Sequence, residues 1–105
     1  MKLQDRVAVI TGAGSGIGRA CAIACAAEGA RVVVADINFA AAQETVHLIE
    51  SQAGTAWAIH TDVAEPDSVA ALATETMQRF GAVHILVNNA AIQISKTIED
   101  TTWDE

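Results

Sequence analysis

The residues best suited to chemistry form one short run, Thr11-Gly12-Ala13-Gly14-Ser15-Gly16-Ile17-Gly18, with glycine at every second position from 12 to 18. Glycine reaches the positive φ that a tight turn out of a strand demands, and without a Cβ it lets an anion approach backbone N–H groups. A helix opening directly after the turn adds its dipole, on the order of 0.3–1 kcal/mol for an anion and sometimes up to ~2. The run therefore reads as a phosphate cradle, with a flexible, ligand-free turn as the plain alternative. No Lys-Ser or Lys-Thr follows Gly18, which excludes the Walker-type loop. The pattern is Gly12-x-x-x-Gly16-x-Gly18, because Ile17 stands where the common G-x-G-x-x-G fingerprint needs glycine.

A carboxylate follows at the right distance. Asp36 closes the next apolar run, about twenty residues beyond the turn, where an acidic side chain accepts hydrogen bonds from both hydroxyls of a ribose. A 2′-phosphate there would meet a like charge, with a repulsion of about 4 kcal/mol at ~4 Å and an effective dielectric near 20. Ser15 supplies no cation to offset it, so NAD is expected and NADP is less favoured. The alternative for Asp36 is that it only begins the next turn.

These residues need elements to position them, and the chain supplies strand-like runs alternating with helical patterns. Arg6–Thr11 reads as a strand, and a helix follows over about Gly16–Glu28, stopped by Gly29. Arg31–Asp36 is a continuous β-branched run of the kind covered on both faces. Asn38 is placed to cap a helix running to about Gln52, with Ala42, Val46, Ile49 and Ala53 on its inward face and Gly54 ending it. Thr55–His60 is a third strand. Pro66 opens a third helix whose inward stripe is Val69, Leu72, Ala73, Thr76 and Phe80, and Gly81 caps it. Val83–Asn89 is a fourth strand. Crossovers this long make the strands parallel and the connections right-handed. The expected fold class is α/β, a Rossmann-type doubly wound parallel sheet with its first four strands in the order 3-2-1-4 and three crossover helices. Its ligand site lies beyond the strand carboxyl ends, where the order reverses between the first and fourth strands.

The Gly12–Gly18 turn and Asp36, with two further segments, resemble the short-chain dehydrogenase/reductase family. Thr11 to Gly18 matches that family's T-G-x-x-x-G-x-G. Asp62, with Val63 beside it, matches the Asp after the third strand that contacts the adenine amino group. Asn88-Asn89-Ala90-Ala91 resembles the N-N-A-G segment ending the fourth strand, with Ala91 in place of glycine. If the backbone at position 91 requires positive φ, that replacement costs roughly 1–2 kcal/mol; if it requires only a small residue, the cost is slight. The resemblance implies NAD-dependent hydride transfer between an alcohol and a carbonyl. It implies cofactor contacts from Gly12, Gly14, Ser15, Gly16, Ile17, Gly18, Asp36, Ile37, Asp62, Val63, Asn88 and Ala90. The family's catalytic groups are a Tyr-x-x-x-Lys pair, a Ser and an assisting Asn. The chain contains no tyrosine, and Asn88 and Asn89 do not match the assisting Asn. These 105 residues are thus expected to be the N-terminal part of a single NAD(P)-binding domain lacking its catalytic half, binding dinucleotide at best and inactive alone. A stand-alone nucleotide-binding or regulatory module, or a degenerate gene product, is the other reading.

Composition bounds the rest. With 51% hydrophobic and 18% charged residues the chain is no disordered tail, and with only two Trp and two Phe its core must be filled by small aliphatics. A net charge of −7 leaves no basic footprint for nucleic acid or an anionic membrane. Cys21 and Cys25, four apart on one helix, suit core positions better than a disulfide or a metal site. Free thiols and the lack of a signal-like leader suggest a cytoplasmic protein. His47, His60 and His84 share no evident geometry and are read as structural or solvated, and Trp57 and Trp103 as packing residues. Thr101 and Asp104 have capping-box spacing. A helix would start there and leave one turn, so the end at Glu105 is read as a truncation. The fourth strand then becomes an apolar edge prone to self-association. A homo-oligomer is expected of the intact protein.

Overall fold

Val7, Ala8, Val9 and Ile10 offer water nothing to bind, and the strand they form is buried along its whole length. The computed structural model describes residues 2–89. Its elements run β1 (Val7–Thr11), α1 (Gly16–Ala27), β2 (Arg31–Asp36), α2 (Phe39–Glu50), β3 (Thr55–His60), α3 (Pro66–Phe80) and β4 (Ile85–Asn88). The strands form one parallel sheet in the order β3-β2-β1-β4, with Val9 facing Val33 on one side and Leu86 on the other. This is the Rossmann-type arrangement expected of the alternating pattern.

Strand side chains alternate between faces, and here both faces are apolar. Ala8, Ile10, Val32, Val34 and Ala56 pack against Ala22, Ala42 and Ile49 of α1 and α2. Val9, Val33, Ala35 and Ile59 pack against Leu72 and Phe80 of α3. Small side chains at 22 and 42 let the first two helices lie close on the sheet. Among the described residues no helix is long and apolar enough to cross a membrane.

The ends of the elements follow local chemistry. Asn38 caps α2 by accepting the Ala41 amide at 3.1 Å, and Pro66 sits in the first turn of α3, which closes on Gly81 in the left-handed region. Three sequence expectations shift. Ala53 is not on an inward helix face: α2 ends at Glu50, and the Gly54 amide turns back to the Ile49 carbonyl at 3.0 Å, leaving Ala53 exposed at φ 66°. On α3 only Leu72 and Thr76 are buried, with Phe80 half-buried one turn further on, while Val69 is 42% exposed and Ala73 is exposed too, because the residues that meet the sheet form a narrow stripe of four-residue spacing from Leu72 to Phe80. The fourth strand begins at Ile85, not Val83, since His84 bonds to Val7 partly through its side chain. Ala90, Ala91 and the capping pattern at Thr101 and Asp104 lie outside the described residues.

Candidate functional site

The glycine run leaves β1 and enters α1 in a single tight turn. Gly16 takes φ +59°, and a Cβ there would stand in open space, so the requirement is purely one of backbone conformation. Gly18 is needed for contact instead: a Cβ would collide with the Gly12 carbonyl and lie 3.0 Å from Cα of Ala13. The first turn of α1 therefore rests directly on the loop before it. Ser15 is the cap residue in extended conformation, yet its side chain makes no capping bond, and no acidic residue lies in the first turn. The leading amides of a helix have no partners within it. Here they are left to whatever occupies the space in front of Ser15, Gly16 and Ile17.

Asp36 stands at the tip of the neighbouring strand. Its Oδ2 accepts the Gly14 amide at 2.8 Å and its Oδ1 accepts the Asn38 amide at 2.9 Å. An ionised carboxylate has about four acceptor sites, so two remain for donors from outside. Gly14 allows this closeness, since a Cβ would lie 2.8 Å from both Asp36 Oδ2 and Ala41 Cβ. Asp62 is fixed in a similar way at the end of β3: its amide donates to Ser68 Oγ at 2.8 Å and its Oδ1 accepts the Ala64 amide at 2.9 Å.

One cavity of about 440 Å³ joins these parts. Of the residues expected from the sequence, Gly12, Ser15, Gly16, Ile17, Asp36, Ile37, Asp62 and Val63 line it. Gly14 and Gly18 shape it from behind. Asn88 instead receives the Thr11 hydroxyl at 3.0 Å, tying β4 to β1. Ala90 is outside the described residues. Sequence reasoning passed over Thr11, Thr61 and Asn89, which also line the cavity, Asn89 with its amide nitrogen 3.3 Å from the Gly12 carbonyl it donates to. The alternation of side chains along a strand was the available signal, since of two adjacent asparagines only one could face the turn.

Chemically, the cavity offers backbone donors for an anion, a carboxylate for hydroxyls, and apolar surface for a flat ring. Ile17 is 81% and Ile37 61% exposed beside it, a costly display unless something covers them. A larger depression of about 680 Å³ runs along α3 beside Glu75 and Arg79, but its lining lies wholly within a helix interior and offers no free backbone donors. Among the described residues no cluster of three or more His, Cys, Asp or Glu could hold a metal ion. Cys21 and Cys25 are free, and burial, followed by the adjacent Cys21, pushes the Cys25 thiol up from its ordinary value, which leaves it a poor nucleophile.

Comparison with known proteins agrees with this geometry. Residues 6–105 match the family model described as short chain dehydrogenase. The chain is similar to a cyclohexanol dehydrogenase of Acinetobacter sp. (strain SE19), being 45% identical over 91 residues that cover 87% of this chain and 36% of that protein. A solved hydroxysteroid dehydrogenase from Escherichia coli superposes with a TM-score of 0.81 at 44% identity, over 82% of this chain and 37% of that one. A 7α-hydroxysteroid dehydrogenase solved with NADH and 7-oxo glycochenodeoxycholic acid matches equally, with a TM-score of 0.81, 44% identity, and coverage of 82% and 34%. The chain thus spans little more than a third of the length of these relatives.

Proposed function

The chain belongs to the short-chain dehydrogenase family, and from that premise we propose that it is the dinucleotide-holding part of an NAD-dependent oxidoreductase acting on an alcohol or carbonyl substrate. The observation that carries this reading is the sharing of one cavity by the uncapped start of α1 and a carboxylate already held by the Gly14 amide. The donor set fits the group: free amides suit a diphosphate, and the close approach at the Gly12–Gly18 turn is one that side chains would block.

In this reading the turn from Gly12 to Gly18 holds the diphosphate through backbone N–H groups. Asp36 accepts hydrogen bonds from the adenosine ribose. Ile37, Val63 and Asp62 border the adenine, the first two by apolar contact and the third by accepting from its amino group. Ile17 serves the nicotinamide half, and the family resemblance adds Asn88 and Ala90 to the cofactor contacts. When bound, the nicotinamide supplies the hydride acceptor or donor. The chain's own part is to orient that ring and keep the sugar and phosphates fixed. With no tyrosine among its residues, the chain offers no phenol for the proton transfer that the family resemblance implies, so no turnover is expected of these 105 residues alone.

NAD is favoured over NADP because Asp36 opposes a 2′-phosphate. The experiment is calorimetric titration of the chain with NAD⁺ and NADP⁺, repeated for Asp36→Ala. Loss of a charged hydrogen-bond partner should weaken NAD⁺ binding roughly ten- to a hundredfold and narrow its advantage. Equal affinities before and after the substitution would remove Asp36 from the site.

A further inference from the structure

A long cationic side chain on the first turns of a helix ordinarily runs out to water. Arg19 does not: its side chain is only 25% exposed and turns inward between α1 and α2. Its Nε donates to Thr45 Oγ1 at 2.8 Å. Its Nη2 donates to the Gly14 carbonyl, to the Ala41 carbonyl at 3.4 Å and to Glu44 Oε1 at 3.2 Å. Thr45, fully buried on α2, donates its hydroxyl proton to the Ala13 carbonyl at 2.8 Å.

The Ala13 carbonyl matters because of where it sits on the backbone. The Ala13 carbonyl and the Gly14 amide belong to one peptide plane, and in a trans peptide they point in opposite directions. That amide is the one donated to Asp36 Oδ2 at 2.8 Å. A continuous chain of hydrogen bonds therefore runs from the Arg19 guanidinium through the Thr45 hydroxyl and across one peptide to the Asp36 carboxylate. A hydroxyl has a single proton and could send it to the Ala41 carbonyl, 3.4 Å away, instead. The Ala13 carbonyl at 2.8 Å is the closer acceptor, and Arg19 supports that choice by donating its Nε–H to Thr45 Oγ1 and its Nη2–H to the Ala41 carbonyl. Such chains polarise each link toward the charged end.

The geometry points to Arg19 and Thr45 as positioning residues that set the orientation of the Ala13–Gly14 peptide and, through it, the pose of Asp36 toward the sugar of the dinucleotide. The inference rests on the reading of this site as a dinucleotide site. Neither residue faces the cavity, so neither touches the ligand. Both act through Asp36, and both govern the preference for an unphosphorylated ribose.

The test is a double-mutant cycle on the chain, with NAD⁺ and NADP⁺ affinities measured by calorimetry and folding checked by circular dichroism. Arg19→Met keeps the aliphatic stem and Thr45→Val keeps the shape of the side chain. Each should weaken NAD⁺ binding by about fivefold to tenfold and reduce the ratio of NAD⁺ to NADP⁺ affinity, while Thr45→Ser, which retains the hydroxyl, should restore both. In an Asp36→Ala background the same substitutions should be silent. Effects of equal size in both backgrounds would overturn the inference, because a merely structural residue acts without regard to Asp36. NAD⁺ binding that depends on Asp36 but ignores Arg19 and Thr45 would overturn it and leave the dinucleotide reading intact, whereas no NAD⁺ binding by the unsubstituted chain would sink both. A ligand-free readout covers any variant that folds poorly: the Gly14 amide resonance should move in Arg19→Met and stay in Thr45→Ser, and an unmoved Gly14 in Arg19→Met would equally refute the relay.

Discussion

Val7 and His84 hold each other by two bonds: the Val7 amide donates to Nδ1 of His84 at 2.9 Å, and the His84 amide donates to the Val7 carbonyl at 2.9 Å. The imidazole thus does the work of a strand carbonyl one step before β4 begins, satisfying a donor on a residue that is 1% exposed. Removing the acceptor leaves a buried N–H without a partner. His84→Ala should cost about 1–2 kcal/mol, read as a lower urea midpoint with an unchanged slope, and Val7 should lose amide-exchange protection. Unchanged protection at Val7 would mean that the ring is not its acceptor.

The glycines of the turn should separate into two kinds. At Gly18 an added Cβ meets the backbone of Gly12 and Ala13, which cannot yield, so Gly18→Ala should destabilise by about 3 kcal/mol or more. At Gly16 the added atom meets nothing, and only φ +59° opposes it. Gly16→Ala should therefore cost roughly 1–2 kcal/mol and keep the fold, yet obstruct a ligand at the mouth of α1. Thermal melts paired with NAD⁺ titrations distinguish the two; equal melts would contradict the contact at Gly18.

Cys25 ties stability to alkaline pH. Burial is the larger cause that raises its thiol above the ordinary value of 9.0, and the neighbouring Cys21 adds to it. The folded state thus prefers the protonated thiol, and its contribution is complete below pH 9.0 and is lost as pH climbs through the raised folded value. Cys25→Ala should flatten the decline in unfolding free energy above pH 9.0 relative to the parent chain. Denaturant melts from neutral pH upward check this, and parallel curves for the two proteins would rule the linkage out.

Much of this molecule is legible in its residues because local and tertiary demands agree. Within Arg31–Asp36 the four residues from Val32 to Ala35 are apolar on both faces and buried on both; Asn38, Pro66 and Gly81 mark helix ends and occupy them. Gly12, Gly16 and Asp36 stand out by residue type and spacing, and all three line one cavity. What stayed hidden depends on side chains crossing between elements. Nothing in the sequence around Arg19 says that it turns inward to Thr45, 26 residues away. The Val69 and Ala73 positions read as inward because a helical stripe was assumed to meet a covering surface along its whole length. Strand alternation says that only one of Asn88 and Asn89 faces the turn, and the pairing of Asn88 with Thr11 says which.

The outer flank of β4 bears the last consequence. Among the described residues β1 is its sole strand neighbour. Leu86 on this strand is 63% exposed, and Val83 just before it is 43% exposed. A strand edge beside exposed apolar side chains invites pairing with another chain, and natural edges discourage this with charge, lysine above all. The chain should therefore self-associate with rising concentration. Leu86→Lys, lying on a face that α3 covers only in part, should shift it toward the monomer without unfolding it. Sedimentation velocity across a concentration series is the measurement. A parent chain whose sedimentation does not change with concentration, or a Leu86→Lys variant that associates as strongly as the parent, would show that this edge is not the contact.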